Sequence, residues 1–228
     1  MKKKIGIITL GCKVNQYESE AFAEALAERG FELSDASAPC DAYIVNTCTV
    51  TAEADRKSRQ MIRRAERLNP GAPIVVTGCT AEYSSKELSE IEGVIAVCGN
   101  SKKLECVEIL DGYFKKIDKA YPLISVPDID SAEFEKMHLT GFPRTRVYIK
   151  IEDGCENHCA YCAIPGARGK VRSKLPEDVI NEVKGFIEAG CREIVLTGID
   201  ARLRYTKRAE GRKASLMQRA GSLKILTT

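Results

Sequence analysis

The chain has 228 residues, of which 44% are hydrophobic and 29% are charged, a composition typical of a soluble globular protein with one large or two modest domains. Its first apolar run, Ile5 to Leu10, is too short for a signal peptide or a membrane span. The formal net charge of +3 comes from the end of the chain, because residues 201–228 contain eight Lys and Arg and one Glu. We therefore predict a cytoplasmic protein without a membrane segment.

The first 115 residues alternate short β-branched runs with amphipathic stretches. In chain order, the predicted elements are strand Lys4–Leu10, helix Tyr17–Arg29, strand Ala42–Val45, helix Ala52–Leu68, strand Ile74–Thr77, helix Ser85–Glu90, strand Val94–Val97 and helix Leu104–Leu110. Such alternation is typical of a parallel sheet with helices on both faces. The sequence thus predicts an α/β fold, with a doubly wound parallel-sheet domain over residues 1–115.

The rest of the chain divides into three further segments. Residues 116–143 lose the alternation and gather prolines, which indicates a linker. Residues 144–200 contain a strand, Thr145–Ile151, a cysteine-rich loop, a helix, Pro176–Ala189, and a strand, Glu193–Thr197, and so predict the opening of a second parallel-sheet domain. Residues 201–228 show basic residues without helical phase. We interpret them as a disordered basic tail, with a basic surface helix as the alternative.

Ten cysteines in a chain without an export signal favour metal binding over a disulfide framework. The strongest signal is Cys155, Cys159 and Cys162, spaced CxxxCxxC in a loop after a strand. Three thiolates can hold three corners of a 4Fe-4S cluster and leave the fourth iron open. The alternatives are a structural zinc site completed by His158, which is badly placed beside Cys159, or thiols without a metal.

A second group of cysteines follows the strands of the first domain. Cys12, Cys48 and Cys79 each come within a few residues of a strand end, where ligands of doubly wound sheets gather. Cys98 also follows a strand and competes for the same site. The remaining three, Cys40, Cys106 and Cys191, are expected to be packing residues.

Four motifs in this order resemble the radical-SAM methylthiotransferases over about residues 4–200: Gly11-Cys12-Lys13-Val14-Asn15, Asn46-Thr47-Cys48-Thr49-Val50, Thr77-Gly78-Cys79 and the Cys155/Cys159/Cys162 loop. The first two motifs are most similar to the branch that acts on threonylcarbamoyladenosine beside the tRNA anticodon. A second tRNA branch, acting on isopentenyladenosine, is the alternative.

The resemblance implies an enzyme with two 4Fe-4S clusters and S-adenosylmethionine. Cys155, Cys159 and Cys162 would hold the cluster whose open iron chelates S-adenosylmethionine, and Cys12, Cys48 and Cys79 would hold a second cluster that carries the sulfur. Residues 144–200 would be the first strands and helix of an incomplete partial (β/α) barrel. Residues 201–228 do not resemble the family, so we expect a truncated copy, by frameshift or shortened coding sequence, that lacks much of the cofactor and substrate surface.

The resemblance also implies partners and supporting residues. We expect tRNA as substrate, a flavodoxin or ferredoxin as electron donor, and a monomer. Tyr161 would lie over the adenine of the cofactor, or else merely cover the cluster. Basic residues after the cluster loop would contact tRNA phosphate or a cofactor carboxylate, unless they form a solvated loop; they are Arg168, Lys170, Arg172 and Lys174. Asn15 and Asn46 would donate to cluster sulfur, or shape turns.

Two other kinds of protein compete with the enzyme. A non-catalytic iron–sulfur protein for electron transfer would need a fourth ligand, for which Cys98 is the candidate near the first trio. A zinc-binding nucleic-acid module has only the basic tail in its favour and lacks paired Cys and His ligands. No residue is assigned as catalytic from the sequence.

Overall fold

A computed structural model describes residues 2–49, 51–117, 120–141, 146–200 and the backbone of 224–227. The first part of the chain contains β1 (Lys4–Thr9), α1 (Lys13–Glu28), β2 (Glu32–Ser34), β3 (Ala42–Thr47), α2 (Ala52–Leu68), β4 (Ile74–Gly78), α3 (Cys79–Ser89), β5 (Val94–Cys98), α4 (Glu105–Phe114) and β6 (Leu123–Ser125). A 3-10 turn (Ile129–Ser131) precedes β7 (Arg146–Lys150), β8 (Glu152–Asp153), α5 (Ile164–Arg168), β9 (Arg172–Ser173), α6 (Pro176–Glu188), β10 (Glu193–Thr197) and β11 (Lys224–Thr227). The predicted α/β class is confirmed.

The first sheet is parallel throughout, with strand order β2-β1-β3-β4-β5-β6. Its central strands β3 and β4 are buried along their whole length, as β-branched runs covered on both faces should be. Helices α1 and α4 pack on one face, and α2 and α3 pack on the other. The strand order reverses between β1 and β3, the place where doubly wound sheets bind their ligands.

Two helices begin earlier than the sequence pattern predicts. α1 starts at Lys13 after its N-cap Cys12, and α3 starts at Cys79 directly after Gly78, whereas the pattern places their starts at Tyr17 and Ser85. α3 is kinked at Ser84, just before the predicted start. In the first turns, buried polar residues interrupt the apolar period, Asn15 in α1 and Thr80 in α3, so the pattern did not reveal the helix starts. The cysteines therefore stand at helix N-termini.

The second part of the chain packs against the first in a common core. β7, β10 and β11 form a parallel sheet in the order β11-β10-β7. The apolar core contains Tyr17 and Phe22 of α1 together with Val147 of β7 and Phe186 of α6. The two predicted domains are thus in direct contact along α1.

The segment 116–143, predicted as a linker, contains secondary structure. β6 lies within it and pairs with β5 as the edge strand of the first sheet. Pro122 and Pro127 flank β6, and prolines are tolerated at such an edge, so they did not exclude a strand. Met137 and Leu139 are buried in the common core, which makes this segment part of the packing between the two sheets.

Most of the predicted tail, residues 201–223 and 228, lies outside the described residues. The backbone of β11 nevertheless pairs in parallel with β10, so disorder is the wrong expectation for these four residues. A strand here occupies the edge of β10 that would otherwise present unpaired backbone groups. Within the described residues, no helix has the length and apolar character of a membrane span.

Candidate functional site

Cys12, Cys48 and Cys79 follow neighbouring strands at the carboxyl edge of the first sheet. Thr9 of β1 is in register with Asn46 of β3, and Thr47 of β3 with Gly78 of β4, so the residues that follow these strands share one edge. Cys12 is the N-cap of α1, Cys79 is the first residue of α3, and Cys48 precedes α2. Helix N-termini favour thiolates. This group is called the first trio below.

Two glycines allow the close approach within the first trio. A side-chain carbon at Gly11 would lie 2.8 Å from both Cβ and Sγ of Cys48, so the backbone before Cys12 runs against Cys48. Gly78 has φ 99° and ψ −170°, a conformation that is essentially restricted to glycine. A side-chain carbon at Gly78 would lie 2.3 Å from the Thr47 carbonyl oxygen. Only glycine at both positions permits the observed spacing of the loops.

The second trio, Cys155, Cys159 and Cys162, lies in the single loop between β8 and α5. The Cys155 backbone N–H donates to the Gly169 carbonyl at 3.0 Å, which closes the base of the loop. Asn157 donates to Cys155 Sγ at 3.4 Å and to Asp200 Oδ2 at 2.6 Å, which connects the loop with the end of β10. Cys159 is exposed, and Cys155 and Cys162 are half-buried.

The helix α5 connects the two trios. Tyr83 lies one turn after Cys79 on α3, and its hydroxyl donates to the carbonyl of Ala163, the residue after Cys162, at 2.6 Å. Asn100 donates to the Ala167 carbonyl at 2.7 Å. Burial raises the pKa of Tyr83, and negative charge on Cys79 and Cys162 raises it further, so the phenol is within electrostatic reach of both trios.

A buried ionic network extends from the end of α5 into the first domain. Arg168 is fully buried, and its Nη1 lies 3.0 Å from both Glu18 of α1 and Asp153 of β8. Lys150 of β7 lies 2.8 Å from Glu18 and 2.6 Å from Asp153, and Lys103 also pairs with Glu18. Such a cluster is stable only when every charge has a partner.

The network shifts the ionisation of its members strongly. Burial alone would raise the pKa of Glu18, but Arg168, Lys103 and Lys150 hold it well below its usual value. The same balance, dominated by Arg168 and Lys150, lowers the pKa of Asp153. Burial would lower the pKa of Arg168, yet Asp153 and Glu18 raise it well above its usual value, and Cys79 and Cys12 contribute in the same direction. A fixed positive charge therefore lies near the first trio.

The four basic residues after the loop differ in their exposure to solvent. Arg168 is enclosed in the network, with its Nη2 donating to Asn15 Oδ1, and has no exposed surface for phosphate. Lys174 is buried against Glu182 and Tyr17, and Arg172 is half-buried beside Asp153. Lys170 is exposed. Sequence spacing alone could not separate these residues, because all four follow the cluster loop.

The two asparagines shape the loops of the first trio. Asn15 donates to the Leu10 carbonyl at 2.6 Å and to the Thr47 carbonyl at 2.9 Å, and Asn46 donates to the Asn15 carbonyl at 3.1 Å. These amide groups are therefore engaged by backbone, in line with the turn-forming alternative.

The other cysteines are separated from the trios. Cys98 is completely buried, and a hydrogen bond with Cys106 and burial raise the pKa of its thiol. Cys40 and Cys191 are buried with their sulfurs against backbone carbonyls. Cys98 thus belongs to the core between β5 and α4 rather than to the open edge of the sheet.

Each trio consists of three free cysteine thiols, the ligand type that iron–sulfur clusters take. All ten cysteines are free thiols, and among the described residues no three Cys, His, Asp or Glu side chains are close enough to hold one ion. A four-iron cluster is larger than an ion and takes thiolates spread around it. His158 is exposed in the left-handed region with φ 43°, on the loop itself, and the sequence-level objection to a zinc site through this residue stands.

Sequence reasoning missed the residues that connect the two trios. Glu18 lies at the spacing of Val14, Ala21 and Phe22, so a carboxylate falls within the apolar stripe of α1. A carboxylate within an apolar stripe indicates a buried ion pair, so the sequence could have revealed Glu18. Tyr83 carries no such signal, because its partner is a backbone carbonyl 80 residues away.

Two family models match the chain. The model described as uncharacterized protein family UPF0004 matches residues 4–99, and the radical SAM superfamily model matches residues 149–226. The second match extends into the segment interpreted from the sequence as a non-family tail. The two family models therefore describe a radical SAM protein with an added N-terminal α/β domain.

Curated relatives narrow this class. The threonylcarbamoyladenosine tRNA methylthiotransferase MtaB of Bacillus subtilis is 45% identical over 193 residues, which cover 84% of this chain and 42% of the relative. The ribosomal protein uS12 methylthiotransferase RimO of Desulforamulus reducens is 35% identical and covers 97% of this chain and 51% of its own length. The chain belongs to the radical SAM methylthiotransferase family, and it spans about half the length of the curated relatives it matches.

Solved structures agree with the fold. The radical S-adenosylmethionine methyltransferase TsrM of Kitasatospora setae, solved with cobalamin and a [4Fe-4S] cluster, covers 99% of this chain and 54% of its own length with a TM-score of 0.57. At 17% identity this likeness concerns the arrangement of the chain only.

Proposed function

We propose that this chain provides the cluster-binding part of a tRNA methylthiotransferase that adds a methylthio group to C2 of threonylcarbamoyladenosine next to the anticodon. The observation that supports the proposal is that Cys12, Cys48 and Cys79 follow three neighbouring strands at one edge of the first sheet, while Tyr83 bonds the residue after Cys162. The names of the most similar relatives support the substrate.

Each trio would hold a 4Fe-4S cluster with one iron free of protein ligands. When bound, the clusters and S-adenosylmethionine would supply the radical that removes a hydrogen from the base and the sulfur that takes its place. The chain itself holds the ligands in place. Buried Cys48 and Cys79 keep water from one side of the first site, and exposed Cys12 and Cys159 leave an open side for a substrate.

Two further side chains have a place in this proposal. Tyr161 is 93% exposed beside Cys162, so its ring is free to lie over the adenine of S-adenosylmethionine. Arg168 would act through Asn15 and Asp153, by fixing the loops that carry the two trios, rather than by touching the cofactor.

The proposal includes a division into a first domain (1–115), a connecting segment (116–143), the start of the radical SAM domain (144–200) and the terminal segment (201–228). It also includes tRNA as partner, a flavodoxin or ferredoxin as reductant, a monomeric state and a cytoplasmic location. Isopentenyladenosine remains the second candidate nucleoside, since a relative of that branch, the tRNA-2-methylthio-N(6)-dimethylallyladenosine synthase of Methylacidiphilum infernorum, is 30% identical.

An electron-transfer protein with closed clusters is disfavoured by Cys98. A closed first site would need a fourth thiol, and Cys98 is enclosed in the core with Cys106. The same position disfavours Cys98 as a replacement for any member of the first trio.

The test is the iron and sulfide content of the chain after anaerobic reconstitution. We expect about eight irons per chain, given two four-iron clusters, and about four in a Cys155→Ala/Cys159→Ala/Cys162→Ala variant. The matching Cys12→Ala/Cys48→Ala/Cys79→Ala variant should also keep about four. Cys98→Ala should keep all of the iron.

Stoichiometric zinc, or iron that is unaffected by either triple variant, would overturn the two-cluster arrangement. Methylthiolation of a tRNA anticodon stem-loop by the reconstituted chain, followed by mass spectrometry of the nucleosides, identifies which adenosine derivative is modified.

A further inference from the structure

The basic charge of the described helices is concentrated on α2. This helix has six Lys and Arg against three Asp and Glu. The other helices longer than two turns, α1, α3, α4 and α6, each have more acidic than basic residues. Since residues 1–200 as a whole have 27 basic against 31 acidic residues, α2 is a positive surface on an otherwise acidic body.

The charges form one exposed face. Arg56, Gln60, Arg63 and Arg67 follow each other at helical spacing and line a shallow groove, and all four are exposed. The opposite side of α2 packs Ile62 and Ala65 into the sheet. The face runs from Arg56 to Arg67, a length of about 16 Å along the helix. We call these four residues the α2 basic face.

Most of this face is not neutralised. Arg56 pairs with Glu53 on its own helix, whereas Arg63 and Arg67 pair with no carboxylate in the described part of the chain. Arg59, which lies off this face toward α3, is held instead by Asp55 and Glu87. On α2, Arg59 therefore serves the packing against α3, whereas the guanidinium groups of Arg63 and Arg67 are available to an anion.

The α2 basic face starts at the first trio. α2 begins just after Cys48, and Ser58 on its inner side accepts from the Cys48 N–H at 3.2 Å and donates to the Cys48 carbonyl at 3.1 Å. The groove therefore leads away from the edge of the sheet that carries Cys48. A polyanion lying along it would have one end at that edge.

An extended phosphate backbone fits this surface better than a lipid headgroup layer. Helices that bind membranes insert an apolar face, and the apolar side of α2 is already buried against the sheet. Arginine guanidinium groups at fixed spacing suit a row of phosphates.

We propose that the α2 basic face binds the phosphate backbone of the RNA whose base is delivered to the first trio. This inference rests on the proposed function for the identity of the RNA. It assigns to the N-terminal domain a phosphate-binding surface of its own, in addition to the cysteines.

The experiment measures binding of a fluorescent tRNA anticodon stem-loop to the whole chain at several salt concentrations. An Arg56→Gln/Arg63→Gln/Arg67→Gln variant removes three charges, and Lys102→Gln/Lys184→Gln is a control at exposed positions on other faces. The slope of log affinity against log salt should fall by about two in the triple variant, since each phosphate contact contributes about 0.7–0.9. The control should keep the slope of the wild type.

Three outcomes separate the questions. If the wild type binds RNA but the triple variant keeps the same affinity and slope, with an unchanged melting temperature, the α2 face is not the RNA surface while the substrate class stands. If the wild type fails to bind RNA, the proposed substrate fails and this inference with it. If anionic phosphatidylserine vesicles bind with the same arginine dependence while RNA does not, the partner is a lipid surface and the inference is overturned.

Discussion

The two cysteine trios obtain their geometry from different sources. Cys12, Cys48 and Cys79 come from three strand ends, so the sheet register and the glycines Gly11 and Gly78 place them. The second trio comes from one loop, which is tied down only at its base and through Asn157 and Asp200. The first site is thus fixed by the whole fold, whereas the second depends on a few local contacts and on its connection to the first.

That connection predicts the largest mutational effect. Arg168→Met should remove the positive charge that pairs with both Glu18 and Asp153. Because two buried carboxylates then lose a partner, we expect the free energy of unfolding to fall by about 3–5 kcal/mol. Urea unfolding measures this loss. Arg56→Met, which breaks an exposed pair, should leave the free energy of unfolding nearly unchanged, and equal losses in both variants would contradict the importance of the network.

The first trio should be sensitive to a single methyl group. Gly78→Ala puts a side chain where φ is 99° and the Thr47 carbonyl lies 2.3 Å away, so we expect a loss of about 3 kcal/mol and displacement of Cys79. Gly185→Ala on α6 meets nothing within 4 Å and should stabilise the helix by about 0.5–1 kcal/mol. Iron analysis should show that Gly78→Ala loses iron from the first site only. Loss of iron from the second trio would contradict the conclusion that the two sites are held in place by different contacts.

The region around the second trio should show a pH dependence of stability through Glu152. Burial, opposed by backbone donors, raises the pKa of Glu152 to about 7. Its folded pKa exceeds the unfolded value of about 4.3, so its stabilising effect is present below that value and is lost as pH rises through 7. The wild type should lose about 1–3 kcal/mol more between pH 4 and pH 8 than Glu152→Gln does, measured by urea unfolding of the apo chain. If the free energy of unfolding changed equally with pH in the wild type and in Glu152→Gln, the contribution of Glu152 to the pH dependence would be refuted.

The sequence was most informative where local pattern and fold agree. The strand starts at Ala42 and Ile74 and the bounds of α2 were predicted from the alternation of β-branched runs with amphipathic stretches. β6 was missed because three residues between prolines show no period. The convergence of Cys12, Cys48 and Cys79 followed from strand ends, but rejecting Cys98 needed its pairing with Cys106, which only tertiary structure reveals.

The shared network also limits how the protein can be divided. Glu18 belongs to the first domain by sequence, yet two of its three cationic partners, Lys150 and Arg168, come from the second. A chimera that joined residues 1–115 to the second domain of another protein would separate Glu18 from Lys150 and Arg168. Recombination between members of such a family should therefore succeed only when Glu18, Lys150 and Arg168 are inherited together.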